Sequence, residues 1–484
     1  MSELHDLTAT EQVELLRQGA TTSVELTEHY LARIERANPT LRAFTTVDAE
    51  GARARASAAD AAGRPGVLRG LPIGDKDLTN RAGVATTYGS LAMAGYVPDL
   101  SDPLVTTLDG NGAVSLGKTN TPEFGFPSYC ENRLPGGVAR NPWDLERGPG
   151  GSSGGAAVAV AAGLLPVAPG SDGGGSIRIP AAATGLVGLK PSRGRVPDGS
   201  GLGSLAGLPV AGPLARTVQD AALLLDAMIA RDAQGHVLNR FSTRAPEPPR
   251  SYHEALDATY GIRPLRIAWN MWTPWSPTYE IDFDDAAVAA LDATLDVARR
   301  LGHEVVEFTP GAEPDYFEAF RAVWRGGAAS LPLTEQQLEL VEPLTSWLVR
   351  SGRELPVAEL ARGLGALAGF EQRIVAQYAE FDAVLTPAMA LTPRPLGWFD
   401  AEDGERNFMQ QCQYTPFTSY VNVAGLPAMS LPVTAEPLPM GVHVIGRPGD
   451  ELTLLRLARD LEREFEWNRR APAWALGDSA TSRR

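Results

Sequence analysis

Two short runs of glycine and serine constrain this chain more than any other feature: Gly150-Gly151-Ser152-Ser153-Gly154-Gly155, and Asp172-Gly173-Gly174-Gly175-Ser176-Ile177-Arg178-Ile179-Pro180. They set Ser152 and Ser176 24 positions apart, each among glycines. Without a Cβ, glycine lets the backbone bend sharply and bring its N–H groups close to a ligand. Apolar runs at residues 156–162 and 177–189 adjoin these segments and demand burial, so they do not read as a flexible linker. A serine hydroxyl beside successive backbone N–H groups is what acyl transfer needs: a nucleophile, and donors for the oxyanion formed when it attacks.

Positive charge singles out the same region. Of 43 lysines and arginines, only Lys76, Lys118 and Lys190 are lysines, and all three fall between residues 76 and 190. Lysine can lose its proton when buried and arginine effectively cannot, so a lysine in an arginine-dominated chain is a candidate proton acceptor.

The 484 residues suggest roughly three domains by length alone, though large α/β enzymes run longer as one unit. An apolar fraction of 44% is enough for a sizeable core, and 50 glycines with 38 prolines indicate many turns. A net charge of -15 disfavours direct nucleic-acid binding. Two cysteines, Cys130 and Cys412, make no disulfide framework and suit a reducing compartment. The first thirty residues lack an apolar signal-peptide core, and no run is apolar enough to span a membrane, so a cytoplasmic protein without membrane partners is expected.

Capping boxes at Thr8/Glu11 and Thr22/Glu25 predict two N-terminal helices with a stop at Gly19. Residues 62–66 read as a turn and 71–76 as a strand, along which Asp75 and Asp77 project opposite to Lys76. Residues 156–162 suit a buried helix and 217–230 an amphipathic one. A Pro-rich connection over 244–264 precedes a strand at 265–269, a helix at 284–301 closed by Gly302, and a strand at 304–308. Residues 314–379 read as mostly helical. Strands follow at 383–386, 428–433 and 442–445, then a helix at 451–465. Strands alternating with helices throughout indicate an α/β layer structure.

Two motifs mislead. Gly112-Ala113-Val114-Ser115-Leu116-Gly117-Lys118-Thr119 matches a phosphate-binding loop letter for letter. Its intervening residues look like the strand itself, and Asn120-Thr121-Pro122 follows instead of a helix, so the context fails. Gly150-x-Ser152-x-Gly154 matches a nucleophile elbow, but Arg147-Gly148-Pro149 is no strand, and no downstream histidine sits in a distinctive motif.

The chain resembles the amidase signature family. The resemblance rests on Arg69-Gly70-Leu71-Pro72-Ile73-Gly74-Asp75-Lys76-Asp77, on Gly117-Lys118-Thr119-Asn120-Thr121-Pro122-Glu123-Phe124, on Arg140-Asn141-Pro142-Trp143-Asp144, on both glycine–serine runs, and on Gly188-Leu189-Lys190-Pro191-Ser192-Arg193-Gly194. Asn422-Val423-Ala424-Gly425-Leu426-Pro427 and Ile445-Gly446-Arg447-Pro448-Gly449-Asp450-Glu451 extend it toward the C-terminus. It implies one α/β domain over 1–484, a large mixed β-sheet sandwiched between layers of helices, with a signature core at about 64–216 and a variable, mostly helical pocket section at about 310–380.

The same resemblance implies roles. Ser176 is the expected nucleophile, Ser152 the bridging serine preceded by a cis peptide, and Lys76 the base. Backbone N–H groups of Gly173, Gly174, Gly175 and Ser176 are the expected oxyanion hole, Gly173 standing where relatives commonly carry threonine. Ser153, Asp172 and Arg178 are expected to support the loop, and Lys118 and Lys190 to be structural. Phe124, Phe126 and Tyr129 are expected to line the acyl pocket, and Trp324 and Trp347 lie in the variable section. No metal or organic cofactor is implied. The expected substrate is a small amide, ester or carbamate, apolar or aromatic, cleaved by a monomer or homodimer. The alternative is the glutaminase component of a tRNA-dependent amidotransferase.

Overall fold

A computed structural model of the protein describes residues 3–197, 205–231, 249–257, 263–434 and 436–474. Of the Pro-rich connection expected over 244–264, residues 244–248 and 258–262 lie outside the described residues, and Tyr252–Asp257 within it is a short helix.

Both N-terminal capping boxes form. Thr8 caps the helix Ala9–Gln18 and Thr22 caps Ser23–Leu41, each side chain accepting from a backbone N–H while Glu11 or Glu25 reaches back. Gly19 ends the first helix with a left-handed φ of 71°. The all-apolar stretch becomes the helix Gly154–Ala161, every residue of which is buried. The helices expected at 217–230, 284–301 and 451–465 appear as Val218–Met228, Asp285–Arg300 and Glu451–Phe465. The section at 314–379 holds the helices Tyr316–Ala329, Glu335–Leu338, Pro343–Arg353 and Val357–Tyr378.

Eleven strands among the described residues form two sheets. β1 (Phe44–Val47), β2 (Pro72–Lys76) and β3 (Val114–Thr119) make a small sheet in the order β1-β3-β2, parallel between β2 and β3. The large sheet comprises β4 (Val167–Asp172), β5 (Val187–Lys190), β6 (Val210–Ala215), β7 (Arg266–Trp269), β8 (Glu304–Glu307), β9 (Ala383–Pro387), β10 (Ala428–Thr434) and β11 (Met440–Gly446). Its order is β4-β6-β5-β10-β11-β9-β7-β8. The pairs β7/β8 and β7/β9 are parallel and the others antiparallel, which makes this a mixed sheet.

Strands β2 to β6 and β9 are buried at every position, because helices and loops cover both faces. Asp285–Arg300 packs on β9 and β11, Glu451–Phe465 on β10 and β11, and Arg178–Thr184 on β5, β10 and β11. Each fully buried Val, Leu or Ile in these strands contributes roughly 1.5–3 kcal/mol. Two apolar clusters result: one around the large sheet, the other within the helices of 316–378 and around Trp275.

The phosphate-loop motif is strand, as its context indicated: residues 114–119 are β3, and Lys118 is buried with Nζ hydrogen-bonded to Thr86 and to the Thr79 carbonyl. Strands β4, β5 and β6 carry no clear alternating pattern, since burial on both faces erases it. Among the described residues no helix is long and apolar enough to cross a membrane.

Candidate active site

Strand β2 of the small sheet lies against β4 of the large one, and this places Lys76 beside Ser171. Lys76 Nζ hydrogen-bonds Ser152 Oγ at 2.8 Å, Ser171 Oγ at 3.0 Å and the Ser171 carbonyl at 3.2 Å. Ser152 sits in the turn before the helix Gly154–Ala161, and the Gly151–Ser152 peptide is cis. Gly151 is required there, because a Cβ would lie 2.3 Å from the Tyr129 carbonyl. Thr121 Oγ1 donates to the Ser152 carbonyl at 3.0 Å and fixes the turn from β3's end.

Ser176 lies in the loop between β4 and the helix Arg178–Thr184. Ser153 stitches the two serine loops together: its N–H donates to the Ser176 carbonyl at 3.1 Å and its Oγ to the Ser171 carbonyl at 3.2 Å. Asp172 and Arg178 form a fully buried ion pair, Nη2 to Oδ1 at 2.8 Å and Nε to Oδ2 at 2.9 Å. Asp172 also accepts from the N–H groups of Gly175 and Ile177 and from Asn422 Nδ2. Arg178 donates onward to Asn422 Oδ1 at 2.6 Å and faces His443 Nε2 at 3.0 Å.

Burial sets the protonation of this network. Lys76 is 2% exposed, and desolvation pushes its ammonium down to about 7 against the opposing pull of the Asp172 charge. Burial alone would raise Asp172, yet the Arg178 guanidinium holds it well below the usual carboxylate range. Lys190 is likewise pushed to about 7 by burial and by Arg178, and burial lowers Lys118. All three lysines are buried; Lys76 is the one whose Nζ reaches Ser152.

Two cavities open at Ser176. The larger, ≈ 190 Å³, is lined by Ser152, Ser171, Gly173 and Ser176 together with Phe124, Leu208 and other apolar side chains. The smaller, ≈ 60 Å³, is lined by Gly174 and Ser176 and by aromatic rings, without Ser152. Phe126 and Trp324 line both and meet edge to face at 5.9 Å, forming a wall between them. Among the described residues no charged side chain lines either cavity.

The expected residues are placed unevenly. Phe124 and Phe126 reach the cavities, but Tyr129 lines neither; its ring stacks on Phe399 at 4.2 Å and its hydroxyl accepts from Asn407 Nδ2 at 2.8 Å. It is the Tyr129 backbone that lies at the serine loop, against Gly151. Gly175 leaves the expected set of oxyanion donors, since its N–H is taken by Asp172 Oδ1 at 2.7 Å. Trp347 packs on Phe408 and under Arg321, outside both cavities. A Cβ on Gly173 would meet Pro209 and Trp324 at an ordinary 3.7 Å, so glycine there leaves space rather than relieving a clash.

Ser171, Thr418 and His443 join the site without any local sequence signal, and Asn422 joins it from a family-like stretch that assigned it no role. The fold also gathers a grouping that spacing did not show: Glu3, His5 and His29, whose ligand atoms lie within 4.8 Å of one another. His5 Nδ1 and His29 Nε2 are 3.1 Å apart, hydrogen-bonding distance, and none of the three lines the cavities at Ser176.

The family model described as Amidase matches residues 25–455, and the chain belongs to the amidase signature family. It is an amidohydrolase, acting on C–N bonds of small amides. Over 472 residues it is 36% identical to a Mycobacterium tuberculosis (strain ATCC 25618 / H37Rv) protein bearing the amidase name AmiB2, covering 96% of this chain and 97% of that one. It is also 36% identical over 501 residues to the A component of the glutamyl-tRNA(Gln) amidotransferase of Roseiflexus sp. (strain RS-1), covering 98% and 99%. Among solved structures, 6-aminohexanoate cyclic dimer hydrolase complexed with substrate superposes with a TM-score of 0.86 at 29% identity, covering 98% of this chain and 100% of that one.

Proposed function

We propose that this amidohydrolase cleaves neutral, apolar amides through an acyl-enzyme on Ser176. The observation that carries this reading is the buried Lys76–Ser152 hydrogen bond at 2.8 Å opening onto an uncharged cavity shared by Ser152 and Ser176. In its neutral form Lys76 accepts the Ser152 proton as Ser152 takes the one from Ser176 Oγ. Ser176 Oγ bonds to the carbonyl carbon, and the negative charge moves onto the carbonyl oxygen. The N–H groups of Gly173, Gly174 and Ser176 are the donors offered to that oxygen, which oxyanion stabilisation requires. The relay then runs backward: Lys76 returns its proton to Ser152, Ser152 protonates the amide nitrogen, and the C–N bond breaks. Water repeats the sequence on the ester, restoring Ser176 and releasing the acid. Esters and aryl carbamates present the same carbonyl to the same donors and fall within the proposed scope.

The uncharged lining speaks against glutamine, whose ammonium and carboxylate need partners when buried. The test is a hydrolysis screen over anilides, alkyl amides, carbamates and glutamine, with Ser176→Ala in parallel. Turnover of anilides that vanishes in Ser176→Ala is expected. Glutamine as the preferred substrate, or near-native activity of Ser176→Ala with only Ser152→Ala inactive, refutes the reading.

A further inference from the structure

The two cavities at Ser176 are not equivalent, and the proposed relay tells them apart. Around the tetrahedral carbon on Ser176 Oγ, the oxyanion points at backbone donors and the nitrogen must face Ser152, which delivers its proton. Ser152 lines only the larger cavity. The departing amine therefore occupies that cavity, with Phe124 beside it. The remaining substituent, the acyl arm, is directed to the other opening beside Ser176, the ≈ 60 Å³ chamber walled off by Phe126 and Trp324. A single water needs about 10–15 Å³ measured this way, so the chamber admits an arm of only a few heavy atoms.

Among the residues that line this chamber, one carries a buried side-chain hydroxyl without a partner. Ser128 lines it at 7% exposure, and its Oγ is buried with no hydrogen bond. Apart from the Ser176 hydroxyl, the other hydroxyls there are occupied: Ser419 Oγ accepts from Trp275 Nε1 and pairs with Tyr316, and Thr415 Oγ1 donates to the Gln411 carbonyl. Ser128 is also held in place. Its N–H donates to Gln411 Oε1 at 2.8 Å, and Gln411 is in turn anchored on Asn407 at 2.7 Å. A buried hydroxyl that nothing satisfies is costly, and a ligand atom that pairs with it recovers that cost.

We infer that the small chamber binds the acyl arm and that Ser128 is its specificity-determining residue, reading an ether, hydroxyl or keto oxygen in a short, otherwise apolar acyl group. This rests on the acyl-enzyme reading above. A site that offers a fixed hydroxyl discriminates by whether the substrate can pair with it, since an apolar isostere leaves the hydroxyl unsatisfied. The aromatic walls formed by Trp275, Phe320 and Phe408 favour an arm that is apolar apart from that one atom.

The test compares kcat/KM for the anilides of butyric, methoxyacetic and β-hydroxybutyric acids in the wild type, Ser128→Ala and Ser128→Thr. Intrinsic carbonyl reactivity cancels when ratios are compared between enzymes. Ser128→Ala is expected to lower the ratio of the better oxygenated substrate to butyranilide about tenfold, the effect of one neutral hydrogen bond. Ser128→Thr, which keeps the hydroxyl, should preserve that preference. The ratio of butyranilide to the β-naphthylamide of the same acid, which varies only the amine, should not move. A second variant, Cys412→Leu, adds bulk to the same chamber and should lower the hexanoyl-to-acetyl ratio. Unchanged oxygenated-to-butyryl ratios in Ser128→Ala, an unchanged hexanoyl-to-acetyl ratio in Cys412→Leu, or a shift confined to the amine series each overturn the inference. Hydroxylamine trapping of one common acyl group from anilide and ester, run on the same enzymes, separates that outcome from failure of the acyl-enzyme reading itself.

Discussion

Replacing Lys76 removes a buried amine whose ordinary value of 10.5 is pushed to about 7 by desolvation. That fall corresponds to about 5 kcal/mol, at roughly 1.4 kcal/mol per pH unit. It also sets the population of the base: about half of Lys76 is neutral at pH 7, against about one free lysine in three thousand. The rate on an anilide should therefore climb with pH, bend near 7 and stay level above it. Lys76→Arg keeps the charge but cannot accept a proton, and should lose at least the factor of about 10²–10⁴ that acid–base assistance supplies. Lys76→Met should be no worse.

Stability gives a second, independent reading of the same group. Between about pH 7 and 10.5 the unfolded chain binds a proton at Lys76 that the folded chain does not, so folding is disfavoured there as pH falls and favoured as it rises. Relative to Lys76→Met, in which every other group titrates alike, the wild type should gain about 2 kcal/mol between pH 7 and pH 9 by urea unfolding. A pH–rate profile flat through 7, a Lys76→Arg enzyme with substantial activity, or a stability difference independent of pH would each refute the assignment of Lys76 as a neutral base.

Three further outcomes follow from the geometry. Ser152→Ala should depress anilide hydrolysis about 10²–10⁴-fold more than nitrophenyl-ester hydrolysis of the same acyl group, because a phenolate leaves without a proton; equal losses in parallel kinetics would remove Ser152 from the leaving-group step. Arg178→Met strands the buried Asp172 carboxylate and should cost about 3–5 kcal/mol by urea unfolding, along with activity; a loss near zero would mean the ion pair is not what orders the Ser176 loop. Gly175→Ala should lower kcat without unfolding the protein, since the new methyl would lie 2.3 Å from Thr418 Oγ1 at a φ of 136°; wild-type turnover would show the loop has slack there.

How much could be read from the chain alone depended on how local each cause is. The boxes at Thr8/Glu11 and Thr22/Glu25 are complete within four residues, and both formed. The same holds for the buried helix over 154–161, whose lack of any polar face leaves it nowhere but the interior. Scarcity drew attention to Lys76 but did not separate it from Lys190, which burial brings to the same about 7; only contact with Ser152 does. Tyr129 and Gly175 were misplaced by proximity in sequence to the right loops, where ring orientation and a competing acceptor, Asp172, decide the outcome. Ser128 and Ser171 had no signal, and Asn422 only a place in a family-like stretch without a role, because their partners lie far away along the chain.

That remoteness bears on when the site comes into being during synthesis. The Ser176 loop is tied down by residues about half the chain away: Thr418 Oγ1 donates to the Gly174 carbonyl across 244 positions, and Asn422 Nδ2 to the Asp172 carbonyl across 250. β5, which follows that loop, is itself completed only by pairing with β10. A nascent chain that has emerged through the signature core therefore carries Lys76, Ser152 and Ser176 without the clasp that orders them. Domains of this size fold as long-range contacts become available, so acyl-transfer competence arrives late, with the last strands. A ribosome-stalled chain ending before β10 should accordingly leave an anilide and an active-site-directed fluorophosphonate untouched, and labelling by the latter should appear once residues 418–446 have emerged.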